Sequence, residues 1–233
     1  MLFLCVPLRS LPLQTPPVQW TPALHLDEQS GIAKRLQDFE GYEGLWMGAI
    51  GSTRLRVSNC LEYLNAIDRG YAPESTPDMV AEYSFVRDCY LLRDLRAARA
   101  AEYSYLPREW PANILSLLPQ LLSRVTGPGE EQRANPHPEL GWEGRADAHI
   151  VSHTGDVWDI QDDEQEFRVE IIARADFNGD GVEDVAVAAT SKVNQGSMRQ
   201  NAYYLFTKCG EHDRLSMITS PQEPYAMTES RCR

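Results

Sequence analysis

Residues 176–184 read Asp-Phe-Asn-Gly-Asp-Gly-Val-Glu-Asp, and on either side apolar side chains recur at every second position. The lead-in set Phe167, Val169 and Ile171 and the lead-out set Val185, Val187 and Ala189 have the period of a strand with one face turned to a core. A short polar, glycine-bearing stretch between two strands must reverse the chain, so the sequence demands an antiparallel hairpin here. The same stretch places side-chain oxygens at loop positions one, three, five and nine, from Asp176, Asn178, Asp180 and Asp184. Gly181 at six permits a sharp turn, and Val182 at seven can offer its backbone carbonyl. Hard oxygen ligands in that alternation suit Ca2+. An EF-hand would need a bidentate Glu at position twelve, where this chain has Val187 inside a strand. The expectation is therefore a calcium loop joining two strands, with a metal-free Asp/Asn/Gly turn as the competing reading.

The string ADFNGDGVEDVAVAA, residues 175–189, resembles the calcium loop of FG-GAP and VCBS-type repeats, in which a strand–loop–strand hairpin wraps one ion. The resemblance implies Asp176, Asn178, Asp180 and Asp184 as ligands, with Val182 through its backbone. Those families stack several such units, whereas one is visible here and no fixed period repeats, so an isolated calcium-stiffened β module is expected.

The loop lies within a wider acidic stretch. Against 34 acidic and 22 basic residues in the whole chain, a net charge of −12, residues 146–190 hold twelve carboxylates and only two bases, Arg168 and Arg174. The remainder is nearly neutral. Closely spaced carboxylates either hold a cation or steer a basic partner, and the bland alternative is a solvated face. The residues assigned to a partner surface are Asp156, Asp159, Asp162, Asp163, Glu164 and Glu166. Such a balance argues against nucleic acid, which is bound through clustered Lys and Arg. No apolar run approaches the roughly 20 residues a membrane span requires.

Residues 1–20 begin apolar but carry four prolines and lack a basic start, which leaves two readings, a remnant leader or an extended arm. From Thr53 to Asp68, Leu55, Val57, Cys60, Leu61, Leu64 and Ile67 recur at helical spacing, with Gly70 as terminator. Ser75-Thr76-Pro77-Asp78 then supplies the cap, first-turn proline and acid that start a second helix, running to about Arg99. A third helix is expected over 111–125, kinked at Pro119. Residues 127–145 concentrate Gly, Pro and charge and read as a linker. The chain is thus expected to be α+β: an N-terminal helical domain (21–126) followed by a small antiparallel β-sheet module with the calcium loop (146–233).

Cys60 and Cys89 each fall about 15 to 18 Å from the turn between the first two helices, so antiparallel helices would bring them level. Cys209 ends a strand and Cys232 can pin the C-terminal tail to it. Two disulfides, with Cys5 spare, imply an oxidising compartment; five reduced thiols in the cytosol is the alternative. His149 and His153, about 13 Å apart on a strand, cannot share an ion. No nucleophile elbow, phosphate loop or zinc-helix motif is present. The expectation is a non-enzymatic periplasmic or secreted protein. Small, stapled, acidic and without a catalytic motif, the chain looks like the immunity proteins that bacteria keep against secreted toxins. A toxin with a basic active-site mouth, such as a lipase effector of a type VI secretion system, is the partner this implies. The alternatives are a cell-envelope carbohydrate-binding or hydrolytic module and a structural envelope lipoprotein acylated at Cys5.

Overall fold

A computed structural model describes residues 19–20, 44–49, 53–118, 147–163, 165–194, 199–219 and 232. The strands are β1 (Gln19–Trp20), β2 (Leu45–Gly48), β3 (Leu55–Val57), β4 (Ala72–Pro73), β5 (His149–Thr154), β6 (Val157–Gln161), β7 (Gln165–Ala175), β8 (Asp184–Val193), β9 (Arg199–Thr207) and β10 (Ser216–Thr219). Among the described residues two α-helices interleave with them, α1 (Cys60–Asp68) and α2 (Thr76–Ala97). A 3-10 turn covers Ile114–Ser116. All strand pairs are antiparallel. The larger sheet runs β10-β9-β8-β7-β6-β5, with β1 on β7, and the smaller runs β3-β2-β4.

The protein is therefore mainly β, and the expected α+β division into a helical N-terminal part and a β module is corrected. Three strands lie inside the region read as helical. Leu55 and Val57 fit a period of two as well as a helical one, and they pair with Met47 and Leu45 across β2. The helix starts only at Cys60 because its capping groups sit just before it. Asn59 Oδ1 accepts the Glu62 N–H at 2.9 Å, while the Glu62 carboxylate accepts the Ser58 N–H at 2.8 Å and its hydroxyl at 3.0 Å. That arrangement is a variant of the capping box, with the third-position carboxylate reaching the residue before the cap, and the cap is typically worth about 1 kcal/mol. The second helix forms where expected, with Ser75 accepting from Asp78 N and Pro77 in the first turn. Of the third, only the 3-10 turn is present up to residue 118; residues from 119 onward, and the linker at 127–145, lie outside the described residues.

The large sheet has a core on each face. Trp158, Val169, Ile171, Val185, Val187, Tyr204 and Phe206 pack on one side against Leu106, Trp110, Ile114, Leu115 and Leu118. On the other side, Ile172, Ala173, Ala175, Ala186, Tyr203 and Leu205 pack against Cys89, Tyr90, Leu92 and Leu95 of α2 and, beyond it, against β2, β3 and α1. The alanines on this side let the helix approach closely. A bulge between Ile171 and Ala173 turns Ile172 to the helix side. Covered on both faces, the first half of β8 is a continuous small apolar run, Val185 to Ala189. Each large side chain buried in these cores contributes roughly 1.5–3 kcal/mol. The described parts of the chain before 127 and after 145 thus contribute to both cores.

Both expected disulfides form, Cys60–Cys89 between α1 and α2 and Cys209–Cys232 after β9. Among the described residues no helix is long and apolar enough to cross a membrane.

Candidate metal centre

The β7–β8 hairpin turns through residues 176–183, as its sequence demanded. Gly179 and Gly181 adopt φ of 79° and 84°, left-handed values that a side chain would strain. The carboxylates fold back onto the loop's own amides. Asp176 accepts Gly179 N–H on Oδ1 at 2.6 Å and Gly181 N–H on Oδ2 at 3.1 Å. Asn178 Oδ1 accepts Asp180 N–H at 3.0 Å, and Asp180 Oδ1 accepts Val182 N–H at 2.8 Å. Asp184, the first residue of β8, accepts Phe177 N–H on Oδ2 at 2.9 Å. These bonds hold all four side chains of the expected ligand set on one turn.

A second segment, the strap that follows α2, braces the loop from outside. Arg99 and Asp176 exchange N–H···O bonds at 3.0 and 2.9 Å; Glu102 N–H and Tyr103 N–H both reach Gly181 O, and Glu183 N–H reaches Tyr103 O. Tyr103 therefore uses the backbone groups on either side of Val182. In extended chain successive residues aim their amide and carbonyl to opposite sides. The Val182 carbonyl accordingly shares the side of its N–H, which points to Asp180.

Beneath the strap lies a buried ion pair. Arg174 Nη2 meets Glu183 Oε2 at 2.8 Å, with the side chains 12% and 2% exposed. The guanidinium also donates to Pro107 O and lies over the Trp110 ring, and the Ser104 hydroxyl donates to Glu183. With its hydrogen bonds mostly satisfied, this pair locks strap to hairpin, and removal of either member would strand the other.

Asp184 is the most constrained of the expected ligands. It is fully buried, and Oδ1 has no partner in hydrogen-bonding geometry. Burial pushes its carboxyl up to about 7, with Asp180 and Asp176 adding to the rise, while Thr207 and the Phe177 N–H pull the other way. Leaving such an oxygen unpaired in a dry site costs about 1–3 kcal/mol. A cation beside it would remove that cost and the mutual repulsion together. No three His, Cys, Asp or Glu side chains among the described residues form a ready-made cage. The three carboxylates of the expected set, Asp176, Asp180 and Asp184, are therefore not assembled into a cage, and an ion there would also need Asn178 and the Val182 carbonyl. Each carboxylate also keeps unused lone pairs beyond its amide bonds. The donor chemistry fits Ca2+.

Of the six residues assigned to a partner surface, the five that are described do not form one cluster. Asp162 is buried and caps the turn before β7, accepting Gln165 N–H at 2.7 Å. Asp159 accepts from Ser152 and from Arg168 at 3.2 Å, and Glu166 faces Lys192 at 3.8 Å. Asp156 sits half-buried in the β5–β6 turn and Asp163 is exposed, whereas Glu164 lies outside the described residues. Asp159, Glu166, Arg168 and Lys192 line a groove of mixed charge on the sheet's outer face. His153 stacks on Trp158, and each histidine bonds a nearby carbonyl, Asp147 O for His149 and Gly155 O for His153.

Spacing did not disclose the strap, the Arg174–Glu183 pair, or the contact of Cys232 N–H with Asp180 Oδ2 at 2.9 Å. Arg174, one of two bases in the acidic stretch, was the available signal. No protein family, curated protein or solved structure gives a match to this chain.

Proposed function

We propose that the chain is a non-enzymatic protein-binding protein of the periplasm or extracellular space, in which Ca2+ held by Asp176, Asn178, Asp180, Asp184 and the Val182 carbonyl braces the β7–β8 hairpin. The observation that carries the metal reading is the buried, unpartnered Oδ1 of Asp184 on the turn that also gathers Asp176 and Asp180. Bound there, the ion supplies positive charge to three carboxylates and no redox or hydrolytic chemistry. Two disulfides fit an oxidising compartment. Within this class we read the chain as an immunity-type inhibitor of a secreted toxin, because a net charge of −12 favours rapid encounter with a basic active-site mouth.

Titration calorimetry of the chelator-treated chain with CaCl2 tests the metal. Stoichiometric binding and a melting temperature lowered by chelator are expected, and absence of both overturns it. For the inhibitor, the product of the adjacent gene is directed to the periplasm of a test cell. Protection by the co-expressed chain, with a complex that weakens as salt rises, is the expected result. No protection and no complex overturn the inhibitor reading.

A further inference from the structure

We infer that the Cys209–Cys232 disulfide positions the calcium loop, so that Ca2+ affinity and the oxidised state of this pair are coupled; the inference rests on the calcium reading above. Cys232 is 52 residues from Asp180 in sequence, yet its N–H donates to Asp180 Oδ2 at 2.9 Å. Asn178 Nδ2 donates to the same oxygen at 3.2 Å. With Oδ2 held by two donors and Oδ1 by one, the carboxylate is fixed in rotamer and retains a free lone pair on Oδ1. On the other side, Cys232 Sγ lies 3.4 Å from the Thr207 hydroxyl at the end of β9. One covalent clip thus ties the Asp180 carboxylate to the end of β9. The N–H dipole offsets part of the carboxylates' repulsion, and the ordering is complete before an ion arrives.

The other disulfide provides the control. Cys60–Cys89 joins α1 to α2, and neither cysteine has a hydrogen bond to the loop among the described residues. A clip that merely stabilises the fold and one that positions ligands therefore make different predictions. By thermodynamic reciprocity, whatever the closed clip does for Ca2+ binding, bound Ca2+ does for the closed clip.

Calorimetry of the full chain with CaCl2 is compared among the native protein, Cys209→Ser/Cys232→Ser and Cys60→Ser/Cys89→Ser. Loss of a hydrogen bond to a charged acceptor corresponds to about tenfold weaker binding, expected in the first variant alone. The second should melt earlier yet keep its affinity within about twofold. A second measurement uses only the native chain. Dithiothreitol reduces the disulfide to two thiols and leaves as its own cyclic disulfide, and alkylation followed by mass spectrometry times the release of Cys209. Release should be several-fold slower in CaCl2 than in chelator, with Cys60 unaffected. Equal Ca2+ affinity in the two variants, or release of Cys209 indifferent to Ca2+, overturns the coupling while leaving the metal in place. Absence of Ca2+ binding to the native chain overturns both.

Discussion

The tip of the β7–β8 hairpin and the outer face of β6–β8 belong to one acidic stretch, but the fold treats their carboxylates in opposite ways. At the tip, Asp176, Asp180 and Asp184 lie on a single turn, Asp176 and Asp184 buried, and Asp184 is left with an unanswered oxygen. On the outer face, Asp159 and Glu166 lie beside Arg168 and Lys192, and Asp162 is consumed as a turn cap. The first arrangement concentrates negative potential where water is excluded; the second spends it locally. Charge count along the chain therefore says little about function until burial and convergence are known.

Four substitutions would break or sharpen this contrast. The largest effect is expected at Glu183→Ala, which leaves Arg174 buried and unpaired at a cost of about 3–5 kcal/mol. Thermal melting would register a fall of roughly 10 °C, at about 2–4 °C per kcal/mol for a chain of this size. A fall of under about 2 °C would mean that strap and hairpin are not held by this pair. Next is Asp184→Asn, which keeps the shape and removes the charge. It should weaken Ca2+ binding at least a hundredfold by calorimetry, about 2.7 kcal/mol, and raise the metal-free melting temperature by relieving the buried carboxylate. Unchanged affinity would remove Asp184 from the ligand set.

Asp162→Ala tests the other region. Losing the bond to Gln165 N–H should cost about 1–2 kcal/mol in urea unfolding while leaving Ca2+ affinity unaltered. Were affinity to fall with it, the two regions would be linked rather than separate. Smallest of all is Glu166→Gln, where one half of an exposed pair with Lys192 is neutralised. Stability should shift by no more than about 0.5 kcal/mol. A larger shift would show that the outer face is more than a screened, mixed-charge surface.

Much of the β architecture was legible from residues. The alternation through β7 and β8, the reversal at 176–184, the start of α2 at Ser75 and both disulfides all follow from local period, capping chemistry and cysteine placement. The α+β expectation failed at β2, β3 and β4 because strands of two to four residues carry too few side chains to set a period. Leu55 and Val57 were absorbed into the helix that follows them, and the signal that separates the two, Asn59 with Glu62, is a cap and not a hydrophobic pattern. In the candidate site, the expected ligand set comes from spacing alone, whereas the strap from Arg99 to Tyr103 left no such signal.

The sequence by itself determined which oxygens are available to a cation and that strands flank them, because both are properties of neighbours along the chain. Only the tertiary structure decided which carboxylates are dry, which are paired, and that Cys232 reaches Asp180 across 52 residues. Burial and long-range contact depend on what packs against what, and that is settled by the shared core on both faces of the sheet.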